Sequence, residues 1–436
     1  MRSRGEDDVR DVLVVGGGFA GVTAAREAAL AGQSVLLLEA RDRLGGRTWS
    51  SSWDGIPVEY GGQWVHWHQP HTWSELTRAG LRVVVSGEPD VASWFVGDER
   101  RSGMPAERDA IAERGWNRFV EGVEEALPNP HEPLAALERL ERFDRRTVAD
   151  RLRELDLTRE EEDVLAAELE SVTHAPLDEA GAVSILRWHA LSGYTLALTQ
   201  FTGGRVTIDR GTGALLDAIA TAAPVETRLE TPVAAVAHAD ERVEVTTRSG
   251  EEVAARAAVV AVPLNVLGRI QFDPPLSETK RDAIALGQAS RGVKIMIRAA
   301  GDERMYNAVK REHAFGYLDS QALLEDGSQL LIGFGPGKPA CDAGDLAAVQ
   351  RALDELLPGF EAVAAYAHDW AHDEFARGTW AIHRPGWYTN YHGEMQRPEG
   401  RIVLAGSDLA NGWAGFIDGA IESGLRAGAA VRALLT

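Results

Sequence analysis

The sequence predicts a mixed α/β protein whose main domain is built on a twisted parallel sheet. Three observations support this: a strand–helix–strand unit at the start of the chain, an apolar strand and a glycine-spaced helix at its end, and further buried strands in between. Parallel strands need crossover connections, and this alternation is typical of doubly wound domains. With 436 residues the chain is long enough for two domains that each bury a core.

The first unit covers residues 12–47 and reads VLVVGGGFAGVTAAREAALAGQSVLLLEARDRLGGR. A short buried strand is predicted over 12–15 and a second apolar strand over 34–38. The segment between them is rich in alanine and ends at a glycine, which predicts a helix. The segment therefore reads as one complete βαβ unit.

Three glycines of the first turn, Gly16, Gly18 and Gly21, form the pattern G-x-G-x-x-G. In that pattern the first glycine permits a tight turn and the second lets the backbone approach a pyrophosphate. The third lets the helix pack closely on the strand. The helix N-terminus stabilises the negative charge, and Glu39, directly after the second strand, can accept hydrogen bonds from a ribose. We therefore predict a dinucleotide-binding site here.

A basic, glycine-containing turn follows directly, and the run E-A-R-D-R-L-G-G-R-T resembles the FAD-binding signature of the flavin amine oxidases, the monoamine oxidase family. Its glycines let the loop wrap around phosphates that its arginines can neutralise. The resemblance implies a resident, buried FAD. It also implies a Rossmann-like FAD-binding domain of the glutathione-reductase type, with an inserted substrate domain of mixed sheet plus helices. The cofactor-binding residues that it predicts in this turn are Arg41, Arg43, Gly46 and Arg47.

Three further segments resemble cofactor-binding parts of this family. Residues 401–424, RIVLAGSDLANGWAGFIDGAIESG, begin as a buried strand and end as a helix whose N-terminus would stabilise the reduced flavin. A Gly-Gly-Gln-Trp run resembles the loop that passes the flavin, and a β-meander supplies a backbone contact to adenine. The further cofactor-binding residues that the resemblance implies are Gly62, Gln63, Trp64, Val233, Gly406, Asp408, Trp413 and Ile417. An aspartate stands at 408 where glutamate is commoner.

Each of the two predicted domains is discontinuous in sequence. The FAD-binding domain is predicted to comprise residues 9–85, 203–288 and 391–436, and the substrate-binding domain residues 86–202 and 289–390. We expect the first part of the substrate-binding domain to be helical, because Glu, Arg, Leu and Ala recur at helical spacing, as in 148–169. The second part is expected to form a sheet from strands such as 293–297 and 330–334.

Lys294 is the first candidate catalytic residue, because it lies inside the otherwise apolar strand R-G-V-K-I-M-I. An unpaired buried ammonium is costly, so the lysine needs a partner or water. Periodicity alone also allows a lysine on a solvent-facing side of the strand. The preceding run AVPLNVLGRIQFDPPL and the position of the lysine resemble the family, in which the matching lysine holds a water against flavin N5.

Trp380 and Phe416 complete the predicted catalytic site, because they match the two aromatic walls of the family's amine cage. Two such rings would select a flat approach of the substrate, and their faces tolerate an amine nitrogen. Taken alone, either residue is more typical of a core. Thr379 stands where the mammalian-type enzymes carry the cysteine that bonds to FAD. A threonine cannot form that thioether, so we predict non-covalent FAD.

The run G-G-Q-W-V-H-W-H-Q-P-H is most similar to the nicotine oxidoreductase and pseudooxynicotine amine oxidase branch of the family. The nicotine enzyme has Asn where this chain has Phe416, so the complete cage argues against nicotine itself. The spacing of the histidines matches no known metal-ligand set, and no acidic residue completes one. No metal site is predicted.

The composition of the chain restricts the kinds of binding partner and the cellular location that we expect. The formal net charge of −21 argues against nucleic acid and anionic membranes, and is compatible with a cationic substrate. We see no run of about eighteen apolar residues and no apolar segment near the N-terminus, and therefore expect neither a membrane span nor a signal peptide. The single Cys341 excludes internal disulfides. These features favour a cytoplasmic enzyme.

The predicted reaction is oxidation of a C–N bond of a small amine by hydride transfer to flavin N5. The resulting imine hydrolyses to a carbonyl, and O2 is reduced to H2O2. The alternative is a dehydrogenase that passes electrons to a protein carrier such as a cytochrome. A desaturase is less favoured, because desaturases act on large hydrophobic substrates, usually at membranes, and need no amine cage. A non-catalytic flavoprotein is less favoured, because it predicts loss of the residues described above. Neither the amine nor the oligomeric state follows from the sequence, although a homodimer is common in the family.

Overall fold

The computed structural model describes residues 9–239, 241–336 and 341–436. Its strands, in chain order, are β1 (Arg10–Val15), β2 (Val35–Leu38), β3 (Ser50–Trp53), β4 (Ile56–Glu59), β5 (Val83–Val85), β6 (Val91–Val96), β7 (Glu99–Gly103), β8 (Val206–Ile208), β9 (Glu226–Arg228), β10 (Val233–His238), β11 (Val243–Thr247), β12 (Glu252–Val260), β13 (Gln271–Asp273), β14 (Val293–Ala300), β15 (Tyr306–Val309), β16 (Tyr317–Leu323), β17 (Gln329–Gly335), β18 (Glu361–Ala367) and β19 (Ile402–Leu404).

Its helices, in chain order, are α1 (Phe19–Leu30), α2 (Pro70–Ala79), α3 (Pro105–Phe119), α4 (Val123–Ala126), α5 (Leu137–Asp144), α6 (Val148–Arg153), α7 (Arg159–Thr173), α8 (Ala182–Leu191), α9 (Leu196–Gly204), α10 (Gly211–Ala220), α11 (Leu264–Leu267), α12 (Glu278–Leu286), α13 (Leu346–Leu356), α14 (Trp387–Asn390), α15 (His392–Met395) and α16 (Ile417–Leu435). A short 3₁₀ helix covers Ser407–Leu409. None of the described helices is long and apolar enough to cross a membrane.

The first sheet has the strand order β13-β10-β11-β12-β1-β2-β9, and β19 pairs with the second half of β12. Its centre is parallel: Val14 of β1 pairs with Leu37 of β2 and with Val259 of β12. The paired central parts of these strands, such as 12–15, 35–38 and 257–260, are buried because helices cover both faces, which explains their continuous apolar sequences. The predicted βαβ unit and mixed α/β fold are confirmed.

Helices α1 and α16 pack tightly on each other against one face of this sheet. The contact depends on small residues, because a Cβ atom on Gly424 would lie only 2.5 Å from the carbonyl oxygen of Ala20. The same face of α16 carries Gly428, whose added Cβ would lie 2.6 Å from the Cβ of Glu27. The glycine spacing of the C-terminal helix therefore sets how closely α1 approaches it.

The second sheet has the order β18-β14-β17-β16-β15-β6-β7 and is antiparallel except for the pair β6 and β15. The strands predicted over 293–297 and 330–334 lie within β14 and β17. The prediction of helix throughout the segment that starts near residue 86 was wrong for 91–103. Residues 91–96 are mostly apolar and form β6, which turns at Gly97, with a φ of +60°, into the polar strand β7 of a hairpin.

Two further predictions need refinement. The helix expected over 148–169 is two helices, α6 and α7, because Thr158 caps the N-terminus of α7 and accepts a hydrogen bond from Glu161 N. The segment 203–288, which is predicted to belong to the FAD-binding domain, begins with a strand, β8, that lies outside the main sheet and pairs with β5. The strands of the first sheet come from residues 10–38, 226–273 and 402–404, whereas the domain boundaries stay a prediction.

We predict that Gly424→Val destabilises the fold by about 1–3 kcal/mol, because a larger side chain must push α1 away from α16. The measurement is the free energy of unfolding in urea. Ala429→Val, on an exposed position of the same helix, is the matched control and is expected to cost less than about 1 kcal/mol. Equal losses in the two variants would contradict the packing argument.

Candidate active site

One cavity of about 550 Å³ lies at the carboxyl ends of the parallel strands of the first sheet and extends to the second sheet. This is where open α/β sheets bind ligands. Most of the residues predicted from sequence line it, namely Gly16, Gly18, Glu39, Arg41, Gly46, Arg47, Gly62, Gln63, Trp64, Val233, Lys294, Trp380, Gly406, Phe416 and Ile417. Segments that are far apart in sequence are thus brought together around one space.

Four predicted residues, Gly21, Arg43, Asp408 and Trp413, lie behind the cavity wall. A Cβ on Gly21 would lie 1.9 Å from the carbonyl oxygen of Gly16, so this glycine serves close packing. Arg43 donates hydrogen bonds to backbone carbonyl oxygens of its own turn. The indole of Trp413 donates to the carbonyl oxygen of His68, 3.0 Å away. Their contribution to a ligand site is therefore indirect.

The glycine turn forms an open cradle at one end of the cavity. Gly16 has a φ of +102°, and an added Cβ on Gly18 would meet only the Cα of Gly46, at 3.9 Å. Helix α1 starts at this point with no side-chain cap and no acidic residue in its first turn. Its first N–H groups are consequently available to an anion. This geometry fits the pyrophosphate of a dinucleotide.

Glu39 closes the cradle at the end of β2. Its carboxylate accepts hydrogen bonds from Gly17 N at 2.6 Å and from Arg41 N at 2.8 Å. Both contacts fix the carboxylate, which is buried and lines the cavity. Each oxygen keeps a second lone pair for a hydroxyl donor, which suits the predicted ribose contact.

Arg47 joins three distant segments at the cavity wall. Its guanidinium donates to the carbonyl oxygen of Thr379 at 2.8 Å, to Ser407 Oγ at 2.9 Å and to Asp408 Oδ1 at 2.5 Å. Burial disfavours the charged form of Asp408, but Arg47 and the amide of Leu264 hold the pKa of this carboxyl below its ordinary value. Asp408 therefore acts on the cavity through Arg47.

Lys294 is buried on β14 and points at the loop after β4. Its Nζ donates to the carbonyl oxygens of Glu59 and Gly61, at 2.5 and 2.8 Å, and to Gln63 Oε1 at 2.5 Å. The ammonium also lies 5.6 Å from the centre of the Trp64 ring. Burial lowers the pKa of Lys294 to about 7, although the charge of Glu59 opposes the shift. The amine can therefore take both protonation states near neutral pH.

The two predicted aromatic walls are held by separate contacts. The indole of Trp380 donates to the carbonyl oxygen of Val172 at 2.9 Å. Phe416 packs edge-on against Trp413 and Trp188, with ring centres 5.1 Å apart in both pairs. The backbone next to Phe416 approaches Trp380, because a Cβ on Gly415 would lie 3.4 Å from the Cβ of Trp380. Both rings line the cavity.

His174 is a cavity residue that sequence reasoning missed. It is fully buried, and its ring lies 3.9 Å from that of Trp380. Burial and the charge of Lys294 lower the pKa of His174 to about 3, so the imidazole is neutral near pH 7. Neither ring nitrogen has a hydrogen-bond partner among the described residues. No local motif marks this histidine, since its position depends on where α7 ends.

A polar part of the cavity, lined by Asp319 and Arg108, was also not predicted from the sequence. Asp319 on β16 accepts hydrogen bonds from Gln321 at 2.8 Å and from Arg205 at 3.3 Å, and burial raises its pKa to about 6. Arg108 pairs there with Glu168 at 2.6 Å. Among the residues that the structure covers, no three His, Cys, Asp or Glu side chains are placed to hold a metal ion.

Comparison with known proteins agrees with this geometry. Residues 19–432 match the family described as flavin containing amine oxidoreductase. Pseudooxynicotine dehydrogenase of a Pseudomonas species is 39% identical over 432 residues, covering 98% of this chain and 86% of the relative. (S)-6-Hydroxynicotine oxidase of Paenarthrobacter nicotinovorans is 32% identical over 434 residues, covering 98% and 99%.

A solved putrescine oxidase shares the fold, with a TM-score of 0.83 at 23% identity, over 97% of this chain and 99% of that one. The family match covers nearly the whole chain, and each of the two relatives aligns with 98% of it. The chain therefore belongs to the flavin-containing amine oxidoreductase family.

Proposed function

We propose that this protein uses non-covalently bound FAD to oxidise a C–N bond of a small amine, and that O2 accepts the electrons. The observation that carries the proposal is that the glycine cradle, Lys294, Trp380 and Phe416 all line one cavity. A dinucleotide in the cradle and an amine between the rings would thus share one enclosed space. The imine product would then hydrolyse to a carbonyl compound.

The cofactor would be held by groups already fixed by the fold. The amides of the first turn of α1 would bind the pyrophosphate, Glu39 a ribose hydroxyl, and Arg47 the part of the cofactor nearest the C-terminal segment. When bound, the flavin supplies the acceptor for the hydride that leaves the carbon next to the amine nitrogen. Thr379 lines the cavity without a thiol, and Cys341 packs against the core of the second sheet. Both observations support non-covalent binding.

The aromatic walls would select the reactive form of the amine. Most aliphatic amines are protonated at neutral pH, and the ammonium form has no lone pair to share with the developing imine bond. Trp380, Phe416 and Phe334 create an apolar space in which desolvation penalises the charged form. The pocket would therefore favour the free base without a dedicated protein base.

Lys294 would organise water next to the reacting carbon. Lys294 and Gln63 both line the cavity and are joined by a hydrogen bond. A water held by this pair would be available to hydrolyse the imine. The positive charge of the ammonium would stabilise negative charge that develops on O2 as it is reduced. This assignment follows the family resemblance and the burial of the lysine.

A dehydrogenase is the second candidate, because the relatives with 39% and 32% identity are named as a dehydrogenase and an oxidase, respectively. The two activities share the amine half-reaction and differ in the acceptor. A carrier protein would have to receive the electrons in the dehydrogenase, whereas O2 must reach the site in the oxidase.

Anaerobic reduction followed by admission of air tests the proposal. Purified yellow protein is mixed with pseudooxynicotine, nicotine, a polyamine or cyclohexylamine while flavin absorbance is followed. We expect bleaching by at least one amine and fast recovery in air with formation of peroxide. Recovery over many minutes would instead support the dehydrogenase, and protein that takes up no FAD would refute the proposal.

Phe416→Ala is expected to slow flavin reduction by about tenfold or more, because loss of one wall admits water and leaves the amine poorly oriented. Phe416→Tyr keeps the aromatic ring, and its rate of flavin reduction is expected to fall less than that of Phe416→Ala. The measurement is the anaerobic reduction rate at saturating amine. If the alanine variant reduces as fast as the tyrosine variant, Phe416 is not a wall of the amine site.

Lys294→Met is expected to change how stability depends on pH. The pKa of Lys294 is lower in the folded protein than in the unfolded chain, so the unfolded state binds more protons between about pH 7 and 10. Wild-type stability should therefore rise in that window by up to about 1.4 kcal/mol per pH unit relative to Lys294→Met. Urea unfolding at several pH values measures the difference.

Lys310→Met supplies the control for this experiment, because Lys310 pairs with Glu355 near the surface and lies outside the cavity. Because this variant also removes one lysine but leaves the cavity intact, a change in slope that both variants share is not specific to Lys294. If the free energy of unfolding changes with pH in the same way for the wild type and Lys294→Met, the lysine has the same pKa in the folded and unfolded chain, and the prediction is wrong.

A further inference from the structure

A loop of the second sheet reaches across to the first sheet beside the cofactor cradle. This loop, residues 368–379, connects β18 to Trp380, and we call it the strap. Trp370 donates from its indole to the carbonyl oxygen of Tyr60 at 2.9 Å, and the carbonyl oxygen of Arg377 accepts from Asn265 Nδ2 at 2.8 Å. The strap is therefore fastened at both ends to segments that line or support the cavity.

The central fastening is a two-pronged ion pair. Arg41 NH1 and NH2 donate to the two carboxylate oxygens of Asp373, at 2.8 and 2.6 Å. The side chain of Asp373 is only 6% exposed and that of Arg41 15%. Burial opposes the charge of Asp373, but His368 and Arg41 hold the pKa of this carboxyl well below its ordinary value. Such paired, fork-like contacts are strong and geometrically specific.

Phe375 contacts two arginines that lie in connections of the first sheet. The guanidinium carbons of Arg41 and Arg248 are 5.4 and 5.3 Å from the centre of its ring. Arg248 also pairs with Glu374, at 2.5 Å. Phe375 is partly buried, and together with both arginines it lines the cavity. The strap thus presents to the cavity an aromatic ring that contacts two arginines.

The position of Phe375 relative to the cradle follows from backbone contacts. Arg41 N donates to the carboxylate of Glu39, the predicted ribose ligand. Arg248 N donates to the carbonyl oxygen of Pro232, the neighbour of Val233, at 2.8 Å. Phe375 is therefore held over the end of the cradle at which the ribose and adenine are predicted to lie.

We infer that the strap closes this end of the cradle and determines how long the dinucleotide stays bound. A non-covalent cofactor leaves by dissociation, and here the Arg41–Asp373 pair and the Phe375 ring would have to move first. The inference rests on the proposed non-covalent FAD. It gives Asp373, Phe375 and Arg248 a role in cofactor retention, in addition to the binding contacts of the glycine turn.

The test is the rate of FAD release from holoenzyme, followed by the rise in flavin fluorescence after strong dilution at constant temperature. Asp373→Asn and Phe375→Ala are each expected to release FAD about tenfold faster than the wild type or more. Asp373→Asn breaks the buried charge pair with Arg41, and Phe375→Ala removes the ring over the cradle, so that each raises the dissociation rate. Glu374→Gln is the matched control, since its ion pair with Arg248 is exposed and weak. It should stay within about twofold of the wild type.

A release rate within about twofold of the wild type for either Asp373→Asn or Phe375→Ala overturns the inference. Equal acceleration by Glu374→Gln also overturns it, because the effect would then come from the loop in general. Far-UV circular dichroism of each holoenzyme before dilution shows that the fold is retained, and Phe375→Leu replaces any alanine variant that does not fold.

Denaturation separates this inference from the proposed function on which it rests. If FAD stays attached to the unfolded wild-type chain, non-covalent binding is wrong. If it is released on unfolding but the strap variants lose it at the wild-type rate, the strap alone is wrong.

Discussion

The structure around the cavity depends on the contact between Arg47 and Asp408. Asp408 is almost fully buried, and a buried carboxylate needs a paired cation and hydrogen bonds. Arg47 meets that need and at the same time binds the carbonyl oxygen of Thr379. Arg47 therefore joins the basic turn after β2 to the segment that carries Trp380 and to the C-terminal segment that carries Phe416.

The same cavity holds groups in contrasting electrostatic surroundings. At the cradle, open amides and arginines favour negative charge, which suits a pyrophosphate. Near the aromatic walls, burial lowers the pKa of both Lys294 and His174, so that positive charge is disfavoured there. A basic amine would enter this second region more readily as the free base. The separation of the two environments is what allows one cavity to hold an anionic cofactor and a basic substrate.

Residues recognised from local patterns were placed well by the sequence. Gly16 and Gly18 form the cradle, and Glu39 ends β2 beside it, because turn geometry and strand ends are encoded within a few residues. Lys294 could be singled out as a lysine in an apolar strand. The three acceptors that hold it come from the loop after β4, more than 200 residues away, and no spacing rule predicts that meeting.

The sequence by itself determined the fold class and a dinucleotide site, since both follow from strand–turn–helix units whose glycines and charges are close together in the chain, whereas FAD was implied by the resemblance to a known family. Only the tertiary structure decided which predicted residues face the cavity, with Asp408 and Trp413 behind its wall, and which unpredicted ones join it, such as His174 and Phe375. The burial that lowers the pKa of Lys294 also arises only in the folded chain. The physical reason is that burial and ion pairing depend on contacts between distant segments, which a local pattern does not contain.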